Sequence, residues 1–349
     1  MQQDLSQLAQ KFKTFARVES QAMSPFYSAM SERTWEDNDV LAVVANVTPS
    51  QPPPNMLFAA VLYLLNRGAS PELLAQYPPD WSPDDADATY AMFRKLILDN
   101  AVEMIPILQT RRVQSNVVRR SAVLALGLHH VRREVGNGPL VSIEIGCSLG
   151  LTLLWQKFRY EYGTERSLGD ANSSVRVVTE MTGELLPADF TQLPEVNEGI
   201  GIEYEPVDAD DPDAIDWLEA LIWPNHEDNL LLSRAALKLL RADPPTIHNG
   251  DAAVLIPEVV ATLPAQSALC IYHSHTWNQM DQPTRDRIDQ HLRRESMNRR
   301  VVRLSFEGAT EHSVLSLIRY ENGIQLEPLR LADCEAHGRR IKYLGESGA

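Results

Sequence analysis

Gly146-Cys147-Ser148-Leu149-Gly150 reads as G-x-S-x-G, a spacing that serves two incompatible chemistries. One is a tight turn that presents a nucleophilic serine, which then needs a histidine and an acid; Ser148, His273 and Asp251 are the available set. The other is a glycine loop that lets the backbone lie against a cofactor at a helix start. A second cluster follows in "ALCIYHSHTWNQM". His273 and His275 are two apart, so an extended chain points both to one side, where a histidine of ordinary pKa serves as a general base. Trp277 and Asn278 come next as a wall and a hydrogen-bonding group for a bound substrate. The same H-x-H could ligate a metal together with His248 or Asp251, but no H-x-x-x-D or D-H completion is visible, so no metal site is expected.

The elements that must position these residues change character near "GNGP" at 136–139. Before it, apolar residues recur at helical spacing in "NMLFAAVLYLLNRG", "ATYAMFRKLILDNAVEMI" and "SAVLALGLHHVRREVG", with Pro52-Pro53-Pro54 and Pro78-Pro79 as punctuation. After it, short β-rich runs alternate with longer amphipathic ones, which predicts βα units and a mostly parallel sheet. Strands are expected at Leu140–Ile145, Ile200–Tyr204, Thr246–His248, Ala268–Tyr272, Val301–Phe306 and Val314–Tyr320. Helices are expected at Leu149–Tyr162, Ala214–Ile222, Leu230–Ala242, Ala253–Thr262 and Thr284–Arg294. Residues 173–181 read either as a further strand or as part of an inserted hairpin. Glu321-Asn322-Gly323 between two extended runs predicts a closing antiparallel hairpin. The expected division is a helical part over 1–136 and an α/β part over 137–349.

Thirty-two basic against 47 acidic residues give a net charge of −15, which disfavours binding to nucleic acid or an anionic membrane. The start lacks an apolar core flanked by a cleavage site, and no run approaches the length of a membrane span, so a cytoplasmic location is expected. Cys147, Cys270 and Cys334 lack C-x-x-C spacing and read as buried thiols.

Topology weighs on the choice between elbow and loop. In α/β-hydrolases the elbow serine follows several earlier strands, whereas here almost nothing before Leu140 reads as strand. A nicotinamide fingerprint would need glycine where Ser148 and Leu151 stand. "EIGCSLG" resembles the first motif of Rossmann-like methyltransferases, an acid at a strand end followed by G-x-G-x-G with a small residue tolerated in the middle. That resemblance implies that Glu144 is the motif acid and that Gly146, Ser148 and Gly150 lie against the methionine part of S-adenosylmethionine, where a Cβ would intrude. The Ser148 hydroxyl would bond the cofactor carboxylate or cap a helix starting at Leu149. The resemblance also implies an acid at the end of the second strand for the ribose hydroxyls, which is Glu203, with Glu180 as its rival. A further acid near the adenine amine is Asp251, whose bland alternative is a plain N-cap.

"VQSNVVRRSAVLALGL" (113–128), "PLVSIEIGCSLGLTLLWQKFRYEYG" (139–163), "GIEYEPVDADDPDAIDWLEALIWP" (201–224) and "NGDA" (249–252) together resemble a bacterial family known as domain of unknown function 2332. The resemblance implies a Rossmann-like methyltransferase-type α/β sheet preceded by a helical N-terminal domain acting as a lid. Gln114 and Asn116 match the family's Q-T-N-E-like segment and are carried over as substrate-binding, while Val117 replaces its glutamate. Thr152 replaces asparagine and Glu203 replaces aspartate. Arg119 matches a basic position, either pairing with a carboxylate or solvated. Trp217 and its neighbours in "DWLEALIWP" have core spacing, with an aromatic clamp as the alternative. The expected activity is methyl transfer to a small-molecule acceptor; the alternatives are a non-catalytic metabolite-binding protein and a serine hydrolase.

Overall fold

The structure is a computed structural model that describes residues 4–21, 23–164, 166–309 and 312–345. The chain divides into two units, Met1–Ser115 with Asp211–Leu230, and Asn116–Asp210 with Leu231–Ala349. The division therefore falls at 115, earlier than the 136 read from the sequence, and a later segment joins the first unit.

Among the described residues the first unit contains helices and no strand. They are α1 (Leu5–Thr14), α2 (Pro25–Thr34), α3 (Asn38–Val44), α4 (Pro53–Asn66), α5 (Pro71–Leu74), α6 (Ala86–Asp99) and α7 (Ala101–Thr110). α4 is apolar all round, and that is why it runs through the middle. Its Phe58 stacks on Tyr27 at 4.3 Å between centroids and touches Phe12, Phe15 and Phe93. Of the helices that follow α8 (Arg120–Val135), α9 (Pro212–Ala220) belongs to this first unit. Trp217 of α9 is 4% exposed, and its Nε1 donates to the Arg112 carbonyl at 2.7 Å. Asp213 beside it receives the Tyr63 hydroxyl and the Arg67 and Arg111 guanidinium groups. The "DWLEALIWP" segment is thus scaffold, as its spacing suggested.

The second unit holds β1 (Leu140–Ile145), β2 (Arg159–Tyr162), β3 (Arg166–Gly169), β4 (Arg176–Gly183), β5 (Glu198–Glu203), β6 (Thr246–Asn249), β7 (Ala268–Ser274), β8 (Val301–Ala309), β9 (His312–Glu321), β10 (Ile324–Gln325), β11 (Leu329–Cys334) and β12 (Arg340–Tyr343). They form one mixed 12-stranded sheet in the order β3-β2-β4-β12-β11-β9-β8-β7-β1-β5-β6, with β10 on β9. The segment β6-β5-β1-β7-β8 is parallel, and β9 turns back antiparallel along β8. Helices α11 (Ala252–Thr262) and α12 (Gln282–Glu295) cover one face. There Ile256, Val260, Ile288 and Leu292 pack against Val141, Ile143, Ile145, Ile200, Ile202, Leu269 and Ile271. α8 lies on the opposite face over β7, β8 and β9, and α10 (Glu227–Ala242) leads into β6. Every expected strand is present, and the Asn322-Gly323 hairpin is formed by β9 and β10.

The expected helix over Leu149–Tyr162 is not there. Residues Leu151–Lys157 make a 3₁₀ helix, and the chain then enters β2. Leu151, Leu154, Trp155 and Phe158 mimic helical spacing, but from Phe158 the period is two, with Tyr160 and Tyr162 buried and Arg159 and Glu161 only half-buried. The two tyrosine hydroxyls donate to the carbonyls of Trp155 at 2.6 Å and Ala122 at 2.7 Å. Residues 173–181 fall largely in β4, which pairs with β2 and β12 and not with β1. Glu203, and not Glu180, therefore ends the strand beside β1. Among the described residues, no helix is long and apolar enough to cross a membrane.

Candidate functional site at the carboxyl edge

Parallel strands send their carboxyl ends to one edge, and in open α/β sheets ligands bind in the crevice there, where successive crossovers depart to opposite sides. That switch lies between β1 and β7. The loop after β1 is tight. Gly146, Ser148 and Gly150 have φ of 72°, 52° and 87°, all left-handed, and the Gly150 N–H donates back to the Cys147 carbonyl at 2.7 Å. The Gly146 N–H donates to the Ile202 carbonyl of β5 at 2.8 Å. A Cβ at Gly146 would stand 2.4 Å from the Thr276 side chain, so this glycine makes room for the loop after β7. A Cβ at Gly150 would stand 2.8 Å from Ile247 of β6.

Glu144 sits beneath this loop, 3% exposed. Its carboxyl accepts from Thr152 Oγ1 at 2.6 Å and from the Tyr272 hydroxyl at 3.2 Å. Burial raises its pKa to about 7, against the pull of those hydrogen bonds, and the neighbouring Glu203 raises it further while Arg120 lowers it. Arg120 is itself buried, and that burial lowers its pKa to about 10. It opens α8 and donates from Nε to the Ala336 carbonyl at 3.0 Å.

Glu203 ends β5 and spreads its carboxylate over backbone N–H groups. Oε2 accepts from Ser148 at 2.7 Å, and Oε1 from Tyr204 at 2.8 Å. Tyr204 is 64% exposed, an aromatic ring left in solvent at a strand end. Asp251 follows β6 as the N-cap of α11, accepting from the Ala253 N–H at 2.8 Å, and its second oxygen lies 3.3 Å from Arg287. The N-cap alternative is therefore occupied by one of its oxygens only.

The β7 edge differs from expectation. His273 is fully buried, with Nδ1 2.7 Å from Glu307 Oε1 and Nε2 3.3 Å from Arg303 Nη1. Arg303 can only donate, so Nε2 accepts and Nδ1–H donates, which assigns the neutral tautomer. Burial lowers the pKa of His273 in the same sense. His273 is thus buried with both ring nitrogens engaged, and neither nitrogen points to solvent at the edge. Ser148 has the left-handed backbone of an elbow, while His273, the histidine read from the sequence as its partner, is bonded to Glu307 and Arg303. His275 is half-buried, in a left-handed conformation at φ 54°, with Nε2 3.3 Å from Ser313 Oγ. Burial first and the Arg120 charge next push its pKa down to about 3, so it is neutral and a weak proton acceptor.

Glu307, which the sequence reading passed over, organises this edge. Besides His273 it accepts from the backbone N–H groups of Thr276 and Trp277 at 3.0 Å and of Asn278 at 3.4 Å. Burial pushes its carboxyl up, but the His273 hydrogen bond and these N–H groups outweigh that and hold it below the ordinary value. Trp277 stacks on His273 at 4.9 Å, with the Arg303 guanidinium 4.2 Å from its ring centre; Asn278 is exposed. Arg303 also donates to the Tyr320 hydroxyl at 3.1 Å, which in turn bonds Asp289.

The second unit thus brings together Glu144, Gly146, Ser148, Gly150, Glu203 and Asn116, whose Nδ2 donates to the Cys147 carbonyl at 3.0 Å. Gln114 belongs to the first unit. Arg119 is 7% exposed and donates to the Val178 carbonyl at 2.5 Å, so it is a buried structural donor and not a solvated residue. Among the described residues no group of histidine, cysteine and acidic side chains is arranged to hold a metal.

One protein family, described as uncharacterized protein conserved in bacteria, domain of unknown function 2332, matches residues 9–343 of the chain. No curated protein matches it.

Proposed function

Because the chain belongs to this bacterial family over nearly its whole length, we propose, from its own geometry, that it is an S-adenosylmethionine-dependent methyltransferase acting on a small or modest-sized acceptor. One observation carries the proposal. The parallel order β6-β5-β1-β7-β8, with antiparallel β9 beside β8, puts a left-handed glycine loop after the central strand and carboxylates after its neighbour and the next strand out. This arrangement supports the reading because a ligand loop at the carboxyl edge beside the switch point, flanked by acids at the neighbouring strand ends, is what a Rossmann-like methyltransferase would need.

The donor set fits an adenosyl ligand. Glu203 offers a carboxylate for vicinal hydroxyls at the β5 end, the exposed Tyr204 ring offers a stacking surface, and Asp251 offers to an amine its second oxygen, which also accepts from Arg287 at 3.3 Å. Bound S-adenosylmethionine would supply an electrophilic methyl group on a sulfonium. The chain's own contribution is position, since alignment of an acceptor lone pair with that methyl group supplies most of the rate. His273 and Glu307 fix the loop bearing Trp277 and Asn278, and His275 is left as a neutral hydrogen-bonding group. Glu144, whose pKa burial raises to about 7, lies under the loop.

Isothermal titration with S-adenosylhomocysteine tests the proposal. The parent should bind one equivalent, and Glu203→Ala should weaken binding about 100-fold, through loss of charge-assisted hydrogen bonds, while circular dichroism shows it folded. A folded parent that binds neither S-adenosylhomocysteine nor S-adenosylmethionine overturns it. The engagement of both histidines favours a second reading, a non-catalytic adenosyl-nucleoside binder. One-to-one binding with no methylated product across amine, thiol, hydroxyl and carboxylate acceptors would select it.

A further inference from the structure

A single peptide bond in the glycine loop is held from both sides. Asn116 Nδ2 donates to the Cys147 carbonyl at 3.0 Å, beside the Gly150 N–H at 2.7 Å, and the Ser148 N–H donates to Glu203 Oε2 at 2.7 Å. The carbonyl and the N–H belong to the same Cys147–Ser148 peptide unit. It leads into Ser148 at φ 52°, a conformation that costs a non-glycine residue on the order of 1 kcal/mol and persists only when its surroundings impose it.

Turning this peptide over would relax the loop, and its hydrogen-bond partners oppose it. In the reversed orientation the Cys147 carbonyl would face the Glu203 carboxylate, acceptor against acceptor, and would lose the Asn116 amide and the Gly150 N–H, while the Ser148 N–H would find a partner at Asn116 only if that amide turned its oxygen inward. A carboxylate at 116 would invert that selection, because it can only accept when ionised. We infer that Asn116 is a positioning residue for the ligand loop: it orients the Cys147–Ser148 peptide so that Ser148 N–H holds the Glu203 carboxylate in place at the β5 end. This assigns Asn116 to the loop and not to the substrate. The consequence for ligand affinity rests on the adenosyl reading above, whereas the consequence for the loop does not.

Two measurements on the full chain separate these. In ligand-free protein, amide exchange at Ser148 should quicken at least tenfold in Asn116→Asp and in Asn116→Ala, while amides of β7 keep the parent's rate. Isothermal titration with S-adenosylhomocysteine should show about a tenfold loss of affinity in the same variants. Because Asn116 and Glu203 hold one peptide, the exchange effect of Asn116→Asp combined with Glu203→Gln should fall well short of the product of the single effects. Parent-like Ser148 exchange in both Asn116 variants, or multiplicative effects in the double variant, would overturn the inference. If the parent binds no adenosyl ligand, the functional proposal fails and the exchange result still decides the clamp.

Discussion

Between about pH 4.5 and pH 7 the protein should lose roughly 3 kcal/mol of stability through Glu144 alone as the pH rises, and Glu144→Gln should abolish that loss. The carboxyl is 3% exposed, and burial lifts its pKa to about 7 from an ordinary 4.5. Below the lower value it is protonated whether the chain is folded or not, and its contribution is fully present. Between the two values the unfolded chain gives up the proton and the folded chain keeps it, so the native state binds more protons and stability falls with pH. Above about 7 both are ionised and the contribution is gone. Glutamine keeps an oxygen for Thr152 Oγ1, and its amide can donate to the Tyr272 hydroxyl, so the variant retains the contacts without the charge. Urea unfolding at half-unit steps from pH 4.5 to 8.5 checks this, taken as the difference between variant and parent. That difference cancels carboxylates such as Asp213 and Glu307, which are held below their ordinary values and add stability as the pH rises through the acid range. Parallel curves for the two proteins would sink the assignment.

Strands were legible in the sequence where one period governs a run bounded by turns. Leu140–Ile145 is apolar on one face, and its other face carries the buried Ser142 and Glu144, so both its ends coincide with the reading. Residues 149–162 were not legible, because Leu151, Leu154 and Trp155 supply helical spacing just before Tyr160 and Tyr162 impose a period of two. The membership of α8 was hidden for another reason. Its apolar residues have the same spacing as those of α4, and nothing local says whether that stripe meets other helices or the sheet over which it lies.

The site divides the same way. The positions of Glu203 and Asp251 could be read because a strand end and a helix start are local features. Glu307 could not, since its partners lie about 30 residues away and a lone acid in "SFEGA" reads as solvated. The H-x-H spacing puts His273 in the last residues of β7 and His275 just after it. Their chemistry was decided instead by Arg303, Glu307 and complete burial of His273, which depend on the whole sheet.

The glycine loop gives the other large effect. Gly146→Val should destabilise the second unit by about 3 kcal/mol or more: the left-handed region costs a side chain roughly 1–2 kcal/mol, and overpacking adds about 1–3 kcal/mol. The overpacking has an identified cause, a Cβ position 2.4 Å from Thr276 Cγ2 and Oγ1, at φ 72°. Those two contributions can be separated. In a Thr276→Gly background the backbone bonds of residue 276 to Glu307 remain, while the obstructing side chain is gone. Gly146→Ala should then cost only about 1–2 kcal/mol from the backbone, measurably less than in the parent. An equal cost in both backgrounds would mean that Thr276 is not what the glycine makes room for. The result bears on how the loop's function is tested, because a bulky residue at 146 would remove ligand binding by disrupting the β1–β7 edge whether or not a ligand touches that glycine. Glu203→Ala, which removes a carboxylate and sets no side chain against Thr276, is for that reason the sharper probe of adenosyl binding, read together with Ser148 amide exchange because the same carboxylate accepts from the Ser148 N–H.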